Sequence, residues 1–186
     1  MRSSRGFAGA ILFLSALPLA VLYQQLAGHG GETAIHFSFA LGSGLLCSAI
    51  SDFRAPIWAT WLGRLSIGSL AVIFALQGIS EVTRNDRLTD VAFQGLGQSL
   101  EGWLLAGFLL WCMMALLVDG HGKMKIFGFF AISLAAAVRA YASILPLSGA
   151  SLEATAPVLK LLYLLPFFWL LAESRRRLSL IREPAP

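Results

Sequence analysis

The sequence predicts an all-α polytopic membrane bundle of six transmembrane helices with both termini in the cytoplasm. Three observations carry that expectation. Of 186 residues, 57% are hydrophobic and only 13% charged, against roughly 25% charged in an ordinary soluble domain. Six apolar runs each reach about 20 residues, the length a helix needs to cross ~30 Å of hydrocarbon. Lysine and arginine are also spread unevenly between the connecting segments, and that asymmetry orients a membrane protein.

The runs fall at 7–27, 33–52, 56–80, 99–118, 124–145 and 154–173, within one transmembrane domain over 1–186. Polar, Gly or Pro punctuation separates them: GHGGE, SDFRAP, a long polar stretch, DGHGKMK, LPLSGASLE and ESRRR. Barrel strands are about half as long and alternate in polarity, so run length favours helices. The first run follows a basic MRSSR start, as a signal peptide would. Its apolar part is about 20 residues, longer than a signal core. The stretch LYQQLAG is also a poor cleavage site, so an uncleaved span is expected.

With the N-terminus inside, nine Lys or Arg residues fall in inner segments: Arg2, Arg5, Arg54, Lys123, Lys125, Arg175, Arg176, Arg177 and Arg182. Two, Arg84 and Arg87, fall outside, and Arg64, Arg139 and Lys160 lie within spans. A multi-pass protein of the cell membrane follows, and the loop-poor form suggests a bacterial inner membrane. The segment 81–98 is the longest connection and is read as an interfacial helix or an irregular loop.

Helical rise of about 1.5 Å per residue converts position into depth. His36 lies about 5 Å below the outer edge of the second span. Gln77 and Glu81 close the third span, Glu101 opens the fourth, and Gln24 and Gln25 end the first, all on the outer side. Arg139 and Lys160 sit about 9 Å deep in spans five and six. Ionisable groups within spans are costly and usually face the bundle interior or a wet cavity. A ligand-binding cluster of His36, Gln77, Glu81, Glu101, Arg139 and Lys160 at the outer end is therefore expected. Interface residues that snorkel to headgroup water are the bland reading.

Small-residue stripes add to the cluster reading. His36, Ala40, Ser43, Cys47 and Ser51 share one face of span two, and Arg64, Gly68, Ala71, Ala75 and Gly78 one face of span three. Small residues let membrane helices approach closely. At the inner end, Arg64 is expected to pair with Asp52. The patch Arg175–Arg177 is adequately read as a topology determinant beside anionic lipid. Trp58, Trp61, Trp103 and Trp169 are expected in the aromatic belts.

Most chemistry is excluded by spacing. Cys47 and Cys112 both lie in apolar runs without paired spacing and read as apolar filler. A catalytic metal needs three protein ligands in reach. Of His29, His36 and His121, the last is on the opposite side, so no metal site is expected. No second intramembrane histidine exists to hold haem, and no cofactor is expected. The GSG at 42–44 has no histidine on a later span to serve as its base. No phosphate-binding loop or nucleic-acid signature occurs. The partners expected are the bilayer itself, a lipid or small anionic ligand, or a protein partner in a membrane complex. The leading reading is a non-enzymatic accessory subunit or a binder of a lipophilic or anionic ligand at the outer leaflet. An enzyme acting on a lipid, with His36 and Glu101 as catalytic pair and Arg139 and Lys160 on a headgroup, is the alternative. A small-solute transporter comes third.

Overall fold

The computed structural model describes residues 2–27, 31–144 and 164–179. All regular structure among these residues is helical. Helix α1 spans Arg2–Ala27, α2 Gly31–Ala49, α3 Ile57–Thr83, the short α4 Asp86–Thr89, α5 Gln98–Asp119 and α6 Gly122–Ile144. A last helix, α7, covers 164–179. Three of these are long and apolar enough to cross a membrane, over Thr33–Asp52, Ile57–Thr83 and Leu100–Asp119.

Local chemistry sets the ends. Ile50–Asp52 tighten into a 3-10 turn after α2. Pro56 then holds φ −53° and ψ 145° just before α3, because its ring fixes φ and disfavours helix in the residue before it. Its carbonyl accepts from Thr60 N at 3.0 Å. α3 ends on Arg84 in the left-handed region, φ 51°. The Arg84 and Asn85 amides both turn back to the Ser80 carbonyl, closing orphan acceptors at the helix end. Asn85 immediately caps α4, its Oδ1 accepting from Leu88 N at 3.2 Å.

The connection read as interfacial helix or loop is helical apart from the turn at Arg84 and Asn85. After α4 the chain winds as a π-helix over Asp90–Gly97 and runs directly into α5. A wide π turn changes which side chains share a face, and such turns are frequent at functional sites. Here it packs against both α3 and α5.

α1 packs on α2, α2 on α3, α3 on α5, and α5 on α6. α7 joins the shared core through Leu164, Phe167, Trp169 and Leu170. The turns after α2 and after α5 meet the C-terminal half of α7 at one end of the bundle, called here the terminal end. The α3–α5 connection lies at the other, the distal end.

The stripes of α2 and α3 meet each other. Cys47 Sγ donates to the Arg64 carbonyl at 3.6 Å, and a Cβ on Gly68 would stand 3.5 Å from that sulfur. Deeper burial falls one position round α2, on Ser43, Leu46, Ala49 and Ile50. That face abuts α1, where Gly9 and Gly42 approach so closely that a Cβ on Gly9 would lie 2.9 Å from the Gly42 carbonyl.

The middle of the bundle is filled with rings. Phe13 stacks on Phe167 at 3.9 Å, Phe167 lies 5.4 Å from Phe108, and Phe108 lies 5.5 Å from Trp111. Phe53 then bridges Trp111 and Trp169 at 5.6 and 6.2 Å. Glycines admit the indoles: a Cβ on Gly63 would lie 2.6 Å from Trp111, and one on Gly128 2.6 Å from Trp169. Trp169 therefore leaves the expected aromatic belt and is 1% exposed, whereas Trp58, Trp61 and Trp103 are exposed. Leu65, Val72, Leu110, Leu117 and Phe130 point outward with them. An apolar outer surface of this breadth suits lipid rather than water.

Candidate functional site

Two polar clusters lie at opposite ends of the bundle. At the distal end, α2 supplies His36 and α3 supplies Gln77 and Glu81. The latter two are four apart and so share one helical face. His36 Nδ1 and Glu81 Oε1 are 3.0 Å apart, with both side chains 18% exposed. The contact is close but not an aligned hydrogen bond, because Oε1 lies off the direction in which the ring nitrogen would donate. Both His36 Nδ1 and Glu81 Oε2 are buried atoms without a hydrogen-bond partner among the described residues. Buried polar atoms of this kind are uncommon.

The π-helix completes this site. Phe93 presents a T-shaped contact to His36, with ring centroids 5.4 Å apart. The Ala92 carbonyl accepts from Gln77 Nε2 at 3.4 Å, a long bond for an amide that is only 4% exposed. Ser80 Oγ donates to the Gln77 carbonyl at 2.8 Å, within the last turns of α3.

Of the residues expected at this end, His36, Glu81 and Gln77 come together. The carboxylate at His36 is that of Glu81. Glu101 sits half-buried on the first turn of α5. The side chains of Arg139, Gln24 and Gln25 and the whole of Lys160 lie outside the described residues. Phe93 and Ala92 were not foreseen, because no apolar period distinguishes a π turn from a loop.

The terminal end carries a denser network. Glu173 is 1% exposed. It accepts from Arg176 at 2.6 and 2.9 Å, a two-pronged pair, and from Arg177 Nε at 3.1 Å. Arg177 then donates to the Asp52 carbonyl at 2.6 Å and to Asp119 Oδ2. Asp119 Oδ2 also accepts from Arg54 N at 3.1 Å. The Arg177 guanidinium lies over the Phe53 ring at 4.4 Å. Its hydrogen bonds to the Glu173 carboxylate hold the Arg176 guanidinium above its ordinary pKa.

One arginine thus ties α7 to both turns at this end. The patch read as a topology determinant is in good part internal structure. Arg64 reaches the same corner, but its guanidinium donates to Ser51 Oγ rather than pairing with Asp52 as expected. Helical continuation of α7 past residue 173 is what turns ESRRR inward, since Glu173 meets Arg176 and Arg177 at i+3 and i+4.

Comparisons with known protein families, characterised proteins and solved structures found no match to this chain.

Proposed function

We propose that this chain is a six-span protein of the cell membrane, in a bacterial inner membrane, with both termini cytoplasmic. On that reading it binds a lipophilic ligand with a polar headgroup at the outer leaflet, at the distal site. The six-span count is supported by α1 and α6, which are 26 and 23 residues long, or about 39 and 35 Å. The orientation is supported by nine inner Lys and Arg against two outer.

One observation carries the binding reading: the misaligned pair of His36 and Glu81, two buried polar groups with unused bonding directions at 3.0 Å. A ligand group that satisfied both would offset the cost of burying them. The same misalignment makes binding the better reading than catalysis. A carboxylate that orients a general base accepts an aligned N–H from it. The ring-filled middle of the bundle likewise favours binding at one end over passage of a solute.

Purification in mild detergent followed by mass spectrometry tests this. A stoichiometric lipid that is lost from a His36→Leu/Glu81→Leu variant is expected. A stoichiometric protein partner with no bound lipid would replace the binding reading with that of an accessory subunit.

A further inference from the structure

The distal site carries enough detail to assign the chemistry of the headgroup, on the binding reading given above. We infer that His36 and Glu81 hold a primary ammonium, presented by an outer-leaflet lipid. Four features converge on this class.

The first is acceptor chemistry. Glu81 Oε2 accepts only, and no described residue donates to it. His36 Nδ1 is an acceptor in the tautomer that carries its proton on Nε2. With that tautomer the pair presents two acceptors, which one ammonium with its three N–H groups can bridge.

The second is charge. By sequence position the outer segments and the outer parts of the spans hold Glu32, Glu81, Asp86, Asp90, Glu101 and Glu153 against Arg84, Arg87, Arg139 and Lys160. A net negative field attracts a cation and disfavours a headgroup that is anionic overall. The third is the ring. The Phe93 centroid is 5.4 Å from that of the imidazole, so an aromatic ring lies beside the pair, and aromatic faces attract cations.

The fourth places the ammonium on a lipid rather than in solution. Ile79 and Val82 on α3, Val91 on the π-helix and Trp103 on α5 are all exposed at this end, Trp103 by 78%. An exposed tryptophan beside aliphatic side chains marks the headgroup level of a bilayer. These exposed side chains offer acyl chains an apolar surface at this end of the bundle.

The test is thermal unfolding of the full chain in detergent with added lipid. Phosphatidylethanolamine, at about ten times its dissociation constant, is expected to raise Tm by about 4 °C. In Glu81→Gln most of that rise is expected to disappear, while Glu81→Asp retains part of it. Phosphatidylcholine has no N–H to donate and is expected to give less than a third of the rise. Phosphatidylglycerol is expected to behave like phosphatidylcholine, and free ethanolamine to leave Tm unchanged. If phosphatidylglycerol gives the larger rise and Glu81→Gln or Arg139→Gln abolishes it, the ammonium assignment falls and the binding site stands. If ethanolamine alone reproduces the shift, the lipid assignment falls. If no lipid shifts Tm, or if Glu81→Gln responds as the parent does, the site reading falls with the inference.

Discussion

The two ends of the bundle treat buried charge in opposite ways. At the terminal end Glu173 is 1% exposed and accepts from two arginines, and Arg177 spends its donors on Glu173, Asp119 and the Asp52 carbonyl. At the distal end His36 and Glu81 touch at 3.0 Å yet keep unused bonding directions. Saturated charge holds helices together, whereas unsatisfied charge that the fold tolerates marks a place for something else to bind. Charge within a membrane protein is costly in either case, so only partner geometry separates the two roles.

Breaking the closed end has the largest expected effect. Arg177→Ala leaves Glu173 and Asp119 without the cation that joins them, and removing one member of a buried pair costs about 3 kcal/mol or more. At this chain length that lowers Tm by about 8 °C, readable by thermal unfolding in detergent. The apolar seam between the ends comes next. Gly63→Ala places a Cβ 2.6 Å from Trp111, an overpacking expected to cost about 2 kcal/mol and checked by the same melt. Arg176→Ala is milder at about 1 kcal/mol, because that guanidinium is 34% exposed and solvent screens it. Arg177 also remains on Glu173. Were Arg176→Ala to destabilise as much as Arg177→Ala, the bridging role of Arg177 would be lost.

The smallest effect sharpens the distal side. Gln77→Leu removes one long bond to the Ala92 carbonyl, worth about 0.5 kcal/mol. Global Tm is expected to change little. Amide exchange across 90–97 is expected to quicken selectively, since that bond ties the π-helix to α3. Uniform acceleration throughout the bundle would instead make Gln77 a general core residue.

The residues of the distal pair were legible before the fold. Both lie near the same ends of adjacent antiparallel helices, so counting rise placed them at one depth. Which carboxylate meets the histidine was not legible. Glu101 and Glu81 have the same estimated depth, and only the packing of α2 on α3 selects Glu81. Phe93 was hidden because a π turn changes the angular period on which a face is read. At the terminal end, charges flanking an apolar run resemble headgroup contacts. The bond from Arg177 to Asp119 spans 58 positions, and no local pattern encodes it. Trp169 was misread for a related reason, since the cleft beside Gly128 that receives it is a tertiary feature.

The terminal charges stabilise the fold and the distal pair does not. This contrast is tested most directly by melting His36→Leu/Glu81→Leu beside Arg177→Ala, in detergent without added ligand. Replacing a buried polar pair by apolar groups of similar size is often neutral or stabilising. The double variant is therefore expected to melt at or above the parent, and Arg177→Ala about 8 °C below it. A double variant that melts as far below the parent as Arg177→Ala would make the distal pair part of the scaffold.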